Sequence, residues 1–439
     1  MRKTWSVINN IIGRNNDNSS ISNVFKIDGR NEINPMTIAN GFCEFFTNVG
    51  KHCADKIGKS KNTFSQYLGN NNMKRSIYLN PTSQEEIMNI LKLFKPKKST
   101  DCDNISMKLL QDLGHCVSYP ISMIVNRSLS EGVVPKSMKV AKVVPIYKSK
   151  DHQLFTNYRP ISLLPTVSKI LEKVIHIRLY NFLSSQAVFY HSQYGFRAKH
   201  STVHAVCELV HEILRSFEQR TYTLATFLDL SKAFDTIDHD ILLHKLSHYG
   251  IRGIALQWFK SYLSDRKQLV CYNGHRSDQF EIKCGVPQGS VLGPLLFIIY
   301  TNDLSKVLTQ AKCILFADDT TVYASSKNVH DLYSLMNAEL QTLSDWFKAN
   351  KLSVNATKTN YVIFSKSRLS SEVLDKNLFV DNECIERVAS TKFLGVIIDE
   401  HLQWSEHIKY CCKKVASGVY ALNMAKRYLS QKKSSFVIL

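Results

Sequence analysis

Two adjacent acids, Asp318 and Asp319, end the apolar run Ile314-Leu315-Phe316-Ala317, and a second apolar run with Val322 and Tyr323 follows at once. The pattern predicts a tight β-hairpin with the acids at its tip. Neighbouring residues on a strand point to opposite faces, so a turn is where both carboxylates can be presented together. Carboxylates packed side by side repel, and a divalent cation relieves that repulsion. Asp is also an ordinary turn residue, so this pair alone leaves both readings open. A third acid, Asp229, ends the strand-like run from Ala225 to Leu228 and leads into Leu230-Ser231-Lys232-Ala233-Phe234-Asp235. Two strand-end acids can meet in one sheet, and three carboxylates on one sheet edge make an oxygen-only site suited to Mg²⁺. Such an ion keeps waters and binds substrate phosphates, and two of them form a clamp for in-line phosphoryl transfer.

The segment Gly285-Val286-Pro287-Gln288-Gly289-Ser290-Val291-Leu292-Gly293-Pro294 carries the next signal. Its glycines let backbone approach a ligand closely, and the helix that follows offers free N–H groups at its start. Gln288 offers a donor and an acceptor in one side chain. The same residues would also serve as a plain strand-to-helix turn.

The chain has 439 residues, 44% of them hydrophobic, enough for a sizeable core and two or three subdomains. With 56 Lys and Arg against 37 Asp and Glu, the net charge of +19 favours a polyanionic partner, most simply nucleic acid. No apolar run approaches a membrane span, no long amphipathic basic helix dominates, and residues 2–6 lack a secretory pattern. No membrane partner is expected. The 11 cysteines are scattered without a Cys-x-x-Cys pair and read as reduced structural thiols. His200, His204 and His211 fall near helical spacing and read, with His191, as polar surface rather than a metal site.

The elements that must position the acids follow from periodicity. Asn-rich stretches at 15–20 and 70–72 read as loops, with one amphipathic helix between them carrying Ile38, Phe42, Phe45, Phe46 and Val49 on one face. Thr82 or Ser83 can cap a helix through Leu91, and a helix piece is expected from Pro120 to Leu129. Val140 to Tyr147 reads as a strand flanked by lysines that include Lys148. Asn273-Gly274 signals a hairpin, and Val329 to Ala349 a long amphipathic helix. A basic helix is expected from Trp404 to Tyr428. The order around the acids, β–α–β-hairpin–α–β, predicts an α+β fold with helices on one sheet face.

These parts, taken together, resemble the reverse transcriptases of non-LTR (LINE-type) retrotransposons of the jockey-like kind. The residues that carry the resemblance are Asn157-Tyr158-Arg159-Pro160-Ile161-Ser162-Leu163, Gln193-Tyr194-Gly195-Phe196-Arg197 and Asp229-Leu230-Ser231-Lys232-Ala233-Phe234-Asp235. Gly285-Val286-Pro287-Gln288-Gly289, Phe316-Ala317-Asp318-Asp319, Leu352 to Thr359 and Phe393-Leu394-Gly395-Val396 complete it, in order, over residues 80–430.

The resemblance implies a right-hand polymerase with fingers, a ferredoxin-like palm and a partial thumb. The implied division is an extension over 1–80, the N-terminal part of the fingers over 81–128, fingers and palm over 129–398 and a truncated thumb over 399–439. The implied activity extends a DNA 3′-hydroxyl with dNTPs on an RNA template, inside the cell in a nuclear or cytoplasmic ribonucleoprotein. Asp229, Leu230, Asp318 and Asp319 are the implied ligands of two Mg²⁺ ions, with Mn²⁺ able to replace them. Lys148 and Arg159 would grip the triphosphate, Phe234 would wall off a ribose 2′-hydroxyl, and Gln288 would lie near the nucleotide sugar. Lys358 would give a proton to the leaving pyrophosphate. Gln193, Gly195, Phe196 and Arg197 would lie along the template, and Phe393, Leu394 and Gly395 along the primer end.

Full-length relatives carry an endonuclease domain before the polymerase, and residues 3–8 resemble the linker that joins the two. The chain is therefore expected to be a fragment or degenerate copy with its acids intact. A nucleic-acid-binding remnant without catalysis stays open as the second reading, on the charge and the short thumb. An RNA-copying viral polymerase fits less well, given Phe234 and the Pro287-Gln288-Gly289 loop.

Overall fold

The computed structural model describes residues 22–27, 29–55, 57–58, 60–69, 73–367 and 376–426. The loops expected at 15–20 and 70–72, the linker-like residues 3–8 and everything expected beyond 426 lie outside the described residues. In chain order the strands are β1 (Phe25–Ile27), β2 (Arg30–Glu32), β3 (Val140–Tyr147), β4 (Tyr158–Leu163), β5 (Tyr222–Leu228), β6 (Arg266–Tyr272), β7 (His275–Arg276) and β8 (Phe280–Ile282). They continue with β9 (Lys312–Phe316), β10 (Asp319–Ser326), β11 (Asn360–Phe364), β12 (Leu378–Val380), β13 (Glu383–Arg387), β14 (Ser390–Phe393) and β15 (Val396–Asp399). The helices are α1 (Pro35–Asp55), α2 (Phe64–Leu68), α3 (Gln84–Leu93), α4 (Met107–Asp112), α5 (Gly114–Glu131) and α6 (Thr166–Ser185). After them come α7 (Thr202–Glu218), α8 (His239–His248), α9 (Ile254–Leu263), α10 (Gly293–Tyr300), α11 (Val329–Ala349) and α12 (Ser405–Lys426).

The central sheet has the order β12-β13-β11-β5-β10-β9, antiparallel except where β11 meets β13. Its middle strand, β5, is buried from Thr223 to Thr226, so both of its faces need cover. Leu224 and Leu228 face the main core with α10 and α11 residues such as Leu296, Met336 and Leu340. Ala225 faces the other way, onto Ala205, Leu209 and Ile213 of α7, with Phe393 and Ile398 of the β14–β15 ribbon in the same cluster. Helices therefore lie on both faces, which corrects the one-sided packing expected from the sequence. The expectation missed that a strand buried on both faces shows an unbroken apolar run where a half-buried one alternates.

A second sheet, β4-β3-β6-β7 with β8 also on β6, stands beside the first. Its β3 alternates, burying Ala141, Val143 and Pro145 while Ile146 and Lys148 face outward. Helix α1 crosses this sheet and buries Ile38, Phe42, Phe46 and Val49. Phe42 packs 4.9 Å from Phe25 and 5.1 Å from Tyr158, ring centre to ring centre. The hairpin turn at Asn273-Gly274 forms as expected, both residues at positive φ. Helix α5 starts at Gly114, before the expected Pro120, and runs through that proline to Glu131. Proline is commonest in a helix's first turn, and here that preference misplaces the start. None of the 11 cysteines, all among the described residues, is in a disulfide, and no described helix is long and apolar enough to cross a membrane.

Candidate active site

Register alone brings the acids together. Thr320 pairs with Leu228, so Asp319 at the start of β10 stands beside Asp229, the residue that follows β5. Phe316 pairs with Asp319, leaving Ala317-Asp318 as a two-residue loop, the predicted hairpin with Asp318 at its tip. Ala317 has φ +58°, the sign that the first central position of a type II′ turn requires. Asn360 pairs with Phe227, which places Lys358 next to Asp229 from the β11 side. The Lys358 ammonium donates to Asp229 Oδ2 at 3.0 Å. Leu230 bridges Val354 with its side chain buried, so its carbonyl is the only group it can offer a metal.

The electrostatics are those of a carboxylate cluster short of cations. Partial burial and the Asp318 and Asp229 carboxylates push Asp319 up to about 6, an effect damped by the solvent that reaches it. Asp318 is raised too, first by burial and then by Asp229, against the pull of Arg159. Arg159 on β4 and Lys148 just past β3 are exposed and lie within electrostatic range of the acids. Ile146 pairs with Arg159, and Lys148 N donates to Asn157 O at 2.9 Å. Partial burial and the cations Lys358 and Arg159 hold the Lys148 ammonium below its usual value. Lys148, Arg159 and the acids are thus near enough to feel one another.

The acids supply only hard oxygen donors, as a divalent cation needs. Among the described residues no three His, Cys, Asp or Glu side chains converge closely enough to hold an ion unaided. A pocket extends from Asp229, Asp319 and Lys358 to Thr391, Lys392, Phe393 and Leu394 of the β14–β15 ribbon. The ribbon turns through Leu394 at φ +47° and Gly395 at φ +97°, the signs of a type I′ loop.

The segment 192–197 has a structural task at the hairpin. Gln193 pairs in parallel with Leu315 and is buried; its Oε1 accepts from Gly195 N at 2.8 Å and Ala317 N at 3.3 Å. A Cβ on Gly195 would lie 2.2 Å from Ala317 N. Arg197 donates to the carbonyls of Tyr190, His191 and Gln193. Of the four expected template residues, Phe196 alone presents a largely exposed side chain, 49% accessible, 6.3 Å from the Phe234 ring. Phe234 itself is half-buried and stacks 4.7 Å from Phe297.

Gln288 sits in the seam between the two sheets. Its carbonyl accepts from Ser162 N at 2.9 Å, and a Cβ on Gly289, at φ +118°, would lie 2.6 Å from Ser162 O. Sequence reasoning missed two acids that hold this loop. Asp235 accepts from Gln288 Nε2. Glu172, fully buried and raised by that burial, accepts from Val291 N at 2.6 Å and Leu292 N at 3.3 Å. The signal for Glu172 was a lone acid one turn before Ile175 and Leu179 on the same apolar helix face.

Residues 146–398 match the family described as reverse transcriptase (RNA-dependent DNA polymerase). The chain is 31% identical over 380 residues to the "Probable RNA-directed DNA polymerase from transposon BS" of Drosophila melanogaster, covering 83% of this chain and 40% of that protein. It is 30% identical over 344 residues to the RNA-directed DNA polymerase from mobile element jockey of the same fly, covering 76% of this chain and 37% of the relative. The X-element polymerase is 28% identical over 344 residues. The chain belongs to the reverse transcriptase family, with relatives in the jockey, BS and X-element group of non-LTR transposons. It spans 40% or less of the length of these relatives. Membership brings the palm-and-fingers class of fold, with which the mixed helix-and-sheet architecture agrees, and a family-wide use of divalent metal ions.

Proposed function

We propose that the chain is the polymerase portion of a non-LTR retrotransposon protein, extending a DNA primer with dNTPs on an RNA template. The observation that carries this reading is that strand register sets Asp229, Asp318 and Asp319 side by side at one end of the central sheet, within electrostatic range of Lys148 and Arg159. In this reading the central sheet is the palm, the β3–β4 sheet the fingers, and α12 the start of a thumb. Residues 1–80 form an extension, 81–128 the first part of the fingers, 129–398 fingers and palm, and 399–439 the partial thumb.

Asp229, Asp318, Asp319 and the Leu230 carbonyl would hold two Mg²⁺ ions, which when bound activate the primer hydroxyl and offset charge on the leaving pyrophosphate. Lys148 and Arg159 grip the triphosphate, Arg159 with a fork that suits phosphate oxygens. Lys358, whose Nζ donates to Asp229, would pass a proton to pyrophosphate. Phe234, its ring fixed against Phe297, offers bulk and no hydrogen-bond partner to a 2′-hydroxyl. Phe196 faces the template, and Phe393, Leu394 and Gly395 border the primer end.

The test is primer extension by the purified chain on an RNA template with dNTPs and Mg²⁺. Extension is expected, and Asp318→Ala should lower it by at least about a thousandfold. Phe234→Ala should admit ribonucleotides. Equal extension by Asp318→Ala would overturn the assignment. Salt-sensitive binding of primer and template without extension would favour the silent remnant.

A further inference from the structure

We propose that Asp235 is a positioning residue that fixes which end of the Gln288 amide faces the incoming nucleotide; this rests on the reading of Gln288 as a nucleotide contact. Gln288 Nε2 donates to both Asp235 oxygens, at 2.9 and 3.0 Å. Among the described residues Gln288 is the only side chain that donates a hydrogen bond to the Asp235 carboxylate, the Cys284 thiol reaching its backbone carbonyl instead, and no described residue donates to Gln288 Oε1. An ionised carboxylate accepts and cannot donate. Turning the amide over would set Oε1 against two acceptor oxygens in a crowded site, so the amide is held one way round. The consequence is chemical: Gln288 Oε1 is turned away from Asp235 and left as an acceptor for a nucleotide hydroxyl.

The frame around Asp235 is rigid enough to impose this. Its amide donates to Lys232 O at 2.8 Å, closing a tight turn in which Lys232 has φ +52°. Two glycines from separate segments press on its carbonyl. A Cβ on Gly50 of α1 would lie 2.1 Å from Asp235 O, and one on Gly285 would lie 2.7 Å away. Val286 N donates to Phe234 O at 2.9 Å, so the turn bearing Phe234 and Asp235 and the loop bearing Gln288 form one hydrogen-bonded unit. Asp235 thus stands behind Gln288, without a place for itself among the proposed metal ligands.

The experiment measures KM and kcat for dNTP in primer extension by the whole chain. Asp235→Asn keeps the shape of the side chain and adds a donor, so the Gln288 amide can turn over. KM should rise about tenfold, with a smaller fall in kcat. Gln288→Glu sets carboxylate against carboxylate and should raise KM similarly. Combining the two exchanges donor and acceptor, restores the bond and again leaves an oxygen facing outward. The double variant should recover most of the lost affinity, while thermal unfolding midpoints separate these effects from misfolding. Additive losses in the double variant, or an unchanged KM in a folded Asp235→Asn protein, would overturn the positioning role. Gln288→Ala separates the layers. If it leaves KM unchanged, the nucleotide contact itself is wrong; if it raises KM while Asp235→Asn does not, only the role of Asp235 is wrong.

Discussion

Two tight hairpins border the same pocket and are held in opposite ways. The β9–β10 hairpin, which carries Asp318, is braced from behind. Tyr194 N donates to Leu315 O at 2.7 Å, Leu315 N donates to Ser192 O at 2.9 Å, and Gln193 secures the turn at Ala317. The bracing segment is itself anchored, since Ser192 Oγ donates to Glu208 Oε1 at 2.9 Å and the Tyr194 hydroxyl donates to Glu208 Oε2. The β14–β15 hairpin, which carries Leu394 and Gly395, is a two-stranded ribbon, and nothing lies within 4 Å of where a Gly395 Cβ would sit. Carboxylates that hold reacting atoms lose activity steeply when displaced by about 1 Å. A ribbon that touches a moving primer gains from freedom to follow it. Under the proposed function the braced turn serves the chemistry, and the ribbon, anchored through Phe393 and Ile398 but open at its tip, serves the grip.

Glycine substitution breaks the braced side hardest. Gly195 has no positive φ, so its need for glycine is purely one of space: an added methyl meets Ala317 N at 2.2 Å and Phe316 C at 2.8 Å, both backbone atoms. Gly195→Ala must push the Ala317-Asp318 turn away from its brace. A destabilisation of about 3 kcal/mol is expected, with extension falling about a hundredfold. Urea unfolding and primer extension on the same preparation check both. Wild-type activity in this variant would show that the brace is dispensable.

Metal and pH probe the acids next. Asp319 is raised to about 6 and Asp318 is also raised. A carboxylate with a raised folded value favours the folded state fully below its unfolded value, and that contribution is lost as pH rises through the folded value. Without metal, the acid cluster therefore costs the fold stability as pH climbs through about 6. A divalent cation binds the ionised form, so its stabilising effect should appear over the same range. Adding Mg²⁺ or Mn²⁺ should raise the unfolding midpoint by about 2–4 °C near pH 7.5 and barely at all near pH 5. Asp319→Asn should flatten that difference. An equal gain at both pH values would place the metal elsewhere.

The two hairpins also differ in how far the sequence disclosed them. Asp318 and Asp319 at the end of an apolar run announced a hairpin tip, and register supplied the meeting with Asp229. The pairing of Lys358 with Asp229 was not visible, because it depends on β11 lying next to β5 and joins residues 129 apart, which no local pattern encodes. Nor was the inward role of Gln193 and Arg197: their polar side chains suggest a ligand, yet they satisfy backbone groups that a parallel edge leaves open. The Asp235–Gln288 contact links residues 53 apart, and only the folded loop shows that one holds the other. Periodicity reports what a strand or helix buries; it does not report which polar partner a distant segment brings.

On the compliant side the effects shrink. Gly395 has all the space it needs and is required only for its φ of +97°. Gly395→Ala should cost about 1 kcal/mol through backbone conformation alone, with extension within a fewfold of wild type. A loss as large as that of Gly195→Ala would erase the contrast between the hairpins.

Leu394 gives the smallest and sharpest effect. It precedes Gly395 at φ +47°, where type I′ loops favour Asn and where a bulky side chain is strained. Leu394 lines the pocket beside Phe393 and Lys392. Strain kept at a site is a reason to look for use there. Leu394→Asn should relax the turn and stabilise the chain by about 0.5 kcal/mol, yet it removes an apolar contact from the pocket wall. Stability and primer binding should therefore move in opposite directions. Unfolding midpoints would rise slightly while the affinity for a primer–template duplex, read by fluorescence anisotropy, falls a fewfold. If both rise, Leu394 is only a poor turn residue, and the ribbon's compliance has no bearing on grip.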